Sequence, residues 1–201
     1  MCGRYRFDEG EPTGLREIIE EVNRRAPETP VKTSGEVFPT DVVPVGAGDR
    51  RLSPVAFPMA WGYTLPDGRR VINARSETAG ERPLFRDGME RRRCAVPATS
   101  YFEWQRTGPR TKYAIRPEGG EWFYLAGLYR LEAGRPVFTI LTRAPGDRVA
   151  FIHDRMPVIL PPDLARDWLN PAHAAADLLR HAVLEVVPTP ADGMEQLRME
   201  F

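Results

Sequence analysis

Apolar residues along this chain follow two periodicities, and these predict two kinds of element. Between Thr13 and Arg25, Leu15, Ile18, Ile19 and Val22 recur at i, i+3, i+4 and i+7, the spacing of one helical face. Thr13 can cap the start of that helix, and Pro27 follows its end. Short apolar runs then alternate with proline and glycine. Val42–Val45, Val55–Met59, Val71–Ala74, Cys94–Pro97, Lys112–Arg116, Trp122–Tyr129 and Val137–Thr142 read as strands. Further helices are predicted near Glu81–Asp87, Asp163–Leu169 and Pro171–Ala182, the last with Asn170 as cap and Pro171 in the first helical position. Val183–Val187 reads as a final strand. Strands and helices do not alternate strictly, which argues against a doubly wound parallel sheet. The expectation is an α+β fold with a β-rich, mostly antiparallel, barrel-like core and peripheral helices.

Composition narrows the function classes. A chain of 201 residues fits one domain with a sizeable core better than two. Twenty prolines and seventeen glycines agree with short elements joined by frequent turns. No apolar run approaches the ~18 residues of a membrane span. Residues 1–9, MCGRYRFDE, lack the apolar stretch of a signal peptide. A cytoplasmic protein without a membrane partner is expected. Cys2 and Cys94 form no CxxC, and His153, His173 and His181 form no HExxH, so neither a metal nor a cofactor is expected. Nucleotide-binding glycine loops and a GxSxG elbow are missing as well. The formal net charge is zero, which does not advertise nucleic acid binding. Arginine outnumbers lysine 26 to 2, however. Codon usage in a GC-rich genome explains most of that imbalance. It is compatible with a local groove of guanidiniums that fork onto phosphates.

Four segments carry chemistry, and each has a bland reading beside the functional one. The first is Met1-Cys2-Gly3-Arg4-Tyr5. Removal of Met1 would leave an α-amine beside a thiol, and near neutral pH about a fifth of such amines are uncharged. A 1,2-aminothiol captures an aldehyde first as a Schiff base and then as a five-membered thiazolidine. The alternative is an incidental cysteine near a terminus. In the second segment, residues 71–78 (VINARSET), strand alternation delivers Asn73 and Arg75 to one side. Asn73 supplies a donor and an acceptor, and Arg75 a phosphate fork; a strand end before a helix cap fits equally. The third, residues 97–104 (PATSYFEW), sets Glu103 among aromatics. Burial would raise its pKa towards neutrality, and Trp104 could stack on a base or sugar; otherwise the aromatics are core and Glu103 faces water. In the fourth, residues 151–157 (FIHDRMP), His153 can titrate near pH 7 and Arg155 can hold a phosphate. A salt-bridged turn around a satisfied core histidine is the other reading.

In this order, MCGRY, INARSET, YFEW and HDRMP resemble the SRAP family, named for SOS-response-associated peptidase. Arg92-Arg93-Cys94 with Pro97, residues 125–129 (LAGLY) and residues 139–142 (TILT) support the likeness, which covers roughly residues 1–170. The resemblance implies a protein that senses abasic sites in single-stranded DNA and forms a stable thiazolidine crosslink. Such a link shields the lesion from strand cleavage and error-prone bypass. By motif, Cys2 would be the nucleophile through both sulfur and α-nitrogen. Asn73 would orient the amine and the opened sugar. Glu103 would be the acid/base for the amine and imine steps. His153 would handle the proton on the ring oxygen during sugar opening. Arg4, Arg75 and Arg155 would hold flanking phosphates, with Pro39 and Trp104 near the sugar and neighbouring base. The chain departs from the family in three places, one of them the short tail after about Val187, which lacks the Asn-rich ending of many members. Glu36 stands where many members have asparagine in an Asn-x-Ala-Pro segment, and Asp67-Gly68 follow Pro66 where members often show a tryptophan.

Three functions follow in order of preference. The first is an abasic-site crosslinker, monomeric and nucleoid-associated on damage, with a slow β-elimination (lyase) reaction competing with ring closure. The second is an N-terminal-nucleophile cysteine peptidase, self-cleaving at least at Met1, with Cys2, His153 and Glu103 as nucleophile, base and orienter. The third is a noncovalent single-strand binder that uses arginines and aromatics.

Overall fold

The computed structural model describes residues 2–8, 13–49, 51–108, 110–120 and 122–191. In chain order it forms β1 (Tyr5–Phe7), α1 (Thr13–Arg25), β2 (Gly35–Val37), β3 (Val42–Gly48), β4 (Pro54–Trp61), β5 (Tyr63–Thr64), β6 (Arg70–Val71) and β7 (Asn73–Arg75). Next come α2 (Pro83–Arg91), β8 (Arg93–Ala98), β9 (Ser100–Trp104), β10 (Lys112–Pro117), β11 (Phe123–Glu132) and β12 (Arg135–Arg143). A 3-10 turn at Asp147–Val149 precedes β13 (Met156–Pro157), β14 (Ile159–Leu160), α3 (Pro162–Leu169), α4 (Ala175–Arg180) and β15 (Val186–Pro190).

Five strands close into a barrel in the order β12-β4-β3-β8-β11, with β11 pairing back onto β12. Every pairing in it is antiparallel except β4 with β12. The chain leaves β12 at Gly62, whose φ of +112° strains any side chain and whose Cβ would meet Ile72 at 3.2 Å. After the β5–β6 hairpin it returns as β7, parallel to the next stretch of β12. That return sets Asn73 beside Ile140 and Arg75 beside Thr142.

The barrel strands are buried on both faces, so they read as apolar runs and not as alternation. In β8, Cys94, Val96 and Ala98 join one core cluster with Trp61, Phe138 and Ile140. Ala95 faces a second cluster with Leu128, Trp168 and Leu169, covered by α2, α3 and α4. Gly127 marks the tightest approach: an added Cβ would lie 2.8 Å from Cys94 Sγ and 2.9 Å from Thr139 O. Trp168 Nε1 donates to Cys94 O at 2.9 Å and so anchors α3 on β8. Arg93, buried beneath that ring, donates to Asn170 O and His173 O just past the end of α3, where a cation satisfies stray carbonyls.

A second sheet runs β15-β10-β9-β1-β2. Only Thr99 separates β8 from β9, and its backbone N–H donates to Arg6 O at 2.9 Å. One length of chain therefore serves the barrel first and the second sheet afterwards. Tyr5, Phe7, Tyr101 and Ile115 of this sheet pack into the same core cluster as the barrel interior.

The α+β class and the mostly antiparallel barrel match expectation. Helix α1 spans the expected residues, while the Thr13 side-chain cap lies outside the described residues. Several boundaries differ, and the strand expected over Val71–Ala74 is broken at Ile72 into the ends of β6 and β7, which pair in different sheets. Helix α2 starts at Pro83, because proline fits a first turn but not a helix interior. The helix expected over Pro171–Ala182 is only Ala175–Arg180. Asn170 ends α3, and its Oδ1 accepts from Ala172 N at 3.0 Å, closing a turn where a helix start was expected. The final strand is Val186–Pro190, with Val183 left in an isolated bridge to Ile159. No described helix is long and apolar enough to cross a membrane.

Candidate active site

The site begins where β1 meets β9. Tyr5 pairs with Tyr101, Arg6 with Ser100, and Phe102 N donates to Arg4 O at 2.9 Å. Extending this antiparallel register brings the first residues of the chain alongside Glu103. Cys2 is fully buried, with Sγ 3.7 Å from Arg4 O. Its carbonyl accepts from Asn73 Nδ2 at 2.8 Å. A side chain 71 positions away thus fixes the backbone of the second residue. The other polar atom of Asn73, Oδ1, is buried and has no hydrogen-bond partner among the described residues. Burial pushes the Cys2 thiol far above its ordinary range, and the charge of Glu103 pushes the same way.

Glu103 sits in β9 opposite Tyr113 and is 5% exposed. It does not face water. Burial raises its carboxyl pKa, against the pull of the amino-terminal charge and of Arg106. Such a group can carry a proton nearer neutrality than an ordinary glutamate.

His153 follows the 3-10 turn and is nearly as buried. Its Nε2 is 2.7 Å from Arg106 Nη2. Its Nδ1 lies 3.0 Å from Arg155 N and 2.8 Å from Asp154 Oδ1. Burial lowers the imidazole pKa to about 4, aided by the positive charges of the amino terminus and Arg106. The ring is therefore neutral at physiological pH.

The remaining motif residues fall into two groups. The Arg4 guanidinium lies between two rings, 4.5 Å from Phe38 and 4.8 Å from Trp104, and bonds Glu36 at 3.2 Å. Pro39 follows Phe38 in a turn closed by Phe38 N to Asp41 Oδ2 at 3.0 Å. Glu36 also takes Lys112 Nζ at 2.5 Å. Glu36 is thus a carboxylate that holds two cations. On the other side, Arg75 is exposed and its side chain has no partner among the described residues. Arg155 forks onto Glu77 at 2.8 and 2.7 Å and also reaches Thr142 O at 2.6 Å. A phosphate at Arg155 has to compete with Glu77.

The structure thus gathers Cys2, Asn73 and Glu103 directly, with Arg4 and Trp104 next to them. His153 joins through Arg106 and the amino-terminal charge. Arg106, Glu77, Lys112 and Phe38 were missed from sequence. For Arg106 the signal was its position two residues after the YFEW motif. Glu77, inside INARSET, gave none until Arg155 was seen to face it. Among the described residues no three His, Cys, Asp or Glu side chains converge to hold a metal ion.

The chain matches the family model described as "SOS response associated peptidase (SRAP)" over residues 1–199. It is 35% identical over 210 residues to the Bacillus subtilis abasic site processing protein YoqW, covering 97% of this chain and 90% of that one. It is 31% identical to the Escherichia coli abasic site processing protein YedK, covering 85% and 80%. Among solved structures, a Bacteroides thetaiotaomicron protein superposes with a TM-score of 0.75 at 20% identity, covering 96% and 94%. A phage-related protein from Bordetella bronchiseptica gives 0.71 at 26%, covering 94% of each chain.

Proposed function

The chain belongs to the SOS response associated peptidase (SRAP) family, and from that premise we propose that it crosslinks covalently to abasic sites in single-stranded DNA through Cys2. The observation that carries the reading is the bond from Asn73 Nδ2 to Cys2 O at 2.8 Å, which immobilises the nucleophile's backbone. Removal of Met1 turns the Cys2 amide nitrogen into an amine, for which the buried Asn73 Oδ1 is an available acceptor. Met1 itself lies outside the described residues.

The chemistry balances with side chains of this chain alone. Sugar opening moves one proton from the hemiacetal hydroxyl to the ring oxygen, and a neutral His153 can take it from one and return it to the other. The Cys2 amine then adds to the aldehyde carbon. Glu103, whose carboxyl burial makes easier to protonate, gives a proton to the departing hydroxyl, and water leaves as the imine forms. The Cys2 sulfur adds to the imine carbon and its proton passes to Glu103, closing the thiazolidine. The sum is aldehyde plus aminothiol giving ring plus water. The buried, un-ionised thiol favours this order, in which the amine strikes first. It argues against a peptidase mechanism, which needs a thiolate paired with an imidazole; Cys2 Sγ instead meets Arg4 O. A β-elimination from the imine competes only while the thiol has not yet closed the ring.

Intact mass of the purified chain is expected to show loss of Met1. Incubation with a single-stranded oligonucleotide bearing one abasic site is expected to give a shifted band on a denaturing gel. Absence of that band, or a band of equal strength with Cys2→Ala, overturns the proposal.

A further inference from the structure

Arg106 carries an observation that the proposed chemistry does not use. It lies in the loop after β9, where Gln105 N donates to Thr111 O at 3.0 Å. Its side chain is about half exposed, yet both terminal nitrogens are engaged. Nη2 meets His153 Nε2 at 2.7 Å, and Nη1 meets Asp154 Oδ1 at 3.0 Å. The same Asp154 oxygen is 2.8 Å from His153 Nδ1. Two loops nearly fifty residues apart thus close a triangle around one imidazole.

The triangle decides the tautomer. A guanidinium only donates and does not lose its proton in proteins. Nε2 must therefore present its lone pair to Arg106, and in a neutral ring the proton then sits on Nδ1, which lies 2.8 Å from Asp154 Oδ1. The opposite tautomer would aim N–H at a cation and a lone pair at a carboxylate. The Arg155 backbone N–H, 3.0 Å from Nδ1, favours that second arrangement, but one neutral donor is outweighed by two charged contacts. The nitrogen left as a base is thus the one that Arg106 covers.

We propose that Arg106 is a positioning residue and a latch: it fixes His153 with Nε2 as the basic nitrogen, and it releases that nitrogen to the sugar when a DNA phosphate draws the guanidinium away. The inference rests on the crosslinking reading for its substrate. Exposure leaves Arg106 free to swing, and a phosphate offers the same forked geometry that it loses. The charged groups facing His153 are Asp154 on its own turn, Arg106 from the β9–β10 loop and the amino terminus. Glu103 on β9 couples to Arg106 and Asp154 in turn.

The test compares wild type with Arg106→Ala, Arg106→Lys and Asp154→Asn. In the full chain without DNA, the His153 ring nitrogens are followed by NMR against pH. Wild type is expected to show the proton on Nδ1 and to titrate near 4; Arg106→Ala is expected to titrate higher, though burial, the larger cause, keeps it below an exposed imidazole. The same shift is expected in single-turnover crosslinking. For a midpoint raised to about 5, Arg106→Ala is about threefold slower than wild type at pH 4.5 and within about twofold at pH 8. Noncovalent affinity for an oligonucleotide with a tetrahydrofuran abasic analogue is expected to lose about one unit of salt slope in Arg106→Ala and to keep it in Arg106→Lys. Asp154→Asn is expected to populate both tautomers. An unchanged ring titration in Arg106→Ala, or a rate loss equal at every pH, overturns the latch. Because the ring titration needs no DNA, it reports on Arg106 even if the wild type forms no crosslink.

Discussion

The barrel and the sheet beside it share one core cluster but are built on opposite terms. In the barrel, five strands pair around a closed circuit, so none is left with an open edge. Its packing admits no extra atom at Gly127. The second sheet is open, and β1 and β2 are three residues each. It buries a carboxyl at Glu103 and, just before β1, the thiol of Cys2. It also buries the hydroxyls of Tyr5 and Tyr101, which have no partner among the described residues. Burying such groups costs free energy that an apolar barrel supplies. Glu103 and Cys2 are thus kept off the barrel strands, where β8 runs on into β9, while Asn73 reaches Cys2 from β7, which pairs with barrel strand β12.

Substitutions on the two sides are expected to part company. The largest effect falls in the barrel's outer layer. Trp168→Ala, which removes the α3 anchor, is expected to cost about 3–5 kcal/mol in denaturant unfolding, while the folded fraction crosslinks at the wild-type rate. Next, Cys2→Ser is expected to lower crosslinking on the order of a hundredfold or more, with a Tm near that of wild type. A large fall in Tm would mean that Cys2 is mainly a packing residue. Gly127→Ala is expected to cost about 1–3 kcal/mol by overpacking against Cys94 and Thr139, again without a change in chemistry.

Glu103→Gln tests the cost of the site itself. The folded protein holds the Glu103 proton more tightly than the unfolded chain does. The stability from this group is therefore present at low pH and lost as pH rises through its folded pKa. The variant is expected to be slower at crosslinking yet to melt at a higher temperature than wild type at pH 7.5, with the gap shrinking towards pH 4.5. His153 runs the other way. Its lowered pKa means stability is lost as pH falls from about 6.5 towards 4. The smallest effect is expected at Arg75→Ala, which removes one exposed cation. Affinity for single-stranded DNA falls a few-fold and the salt slope drops by about one, measured by fluorescence anisotropy.

The barrel strands were legible because their burial on both faces leaves long apolar runs, as in Val137–Thr142. Helix α1 was legible because a 3.6-residue stripe survives in Leu15, Ile18, Ile19 and Val22. In the second sheet β10 was legible at Lys112–Arg116 and β15 in part, but β1, β2 and β9 were not. Three residues of β1 or β2 are too few to show a period of two, and Ser100–Trp104 reads as an aromatic cluster whichever way Glu103 points. The motifs named Cys2, Asn73, Glu103 and His153, but not what surrounds them. Whether Arg155 is free or held by Glu77, and whether Nε2 of His153 is open or covered by Arg106, are facts of pairing between distant segments. Charge and spacing along the chain do not contain them. The misplaced start of α4 has a local cause: Asn170 uses its side chain to close a turn before proline can begin a helix.

The complete burial of Cys2 bears on how such a protein endures in a damaged cell. Peroxides and electrophiles attack thiolates that solvent can reach. The Cys2 sulfur is neither ionised nor accessible. Oxidants thus find little to consume at Cys2, and under the proposed crosslinking function a nucleophile used once per molecule would keep its reducing equivalents until an aldehyde reaches it.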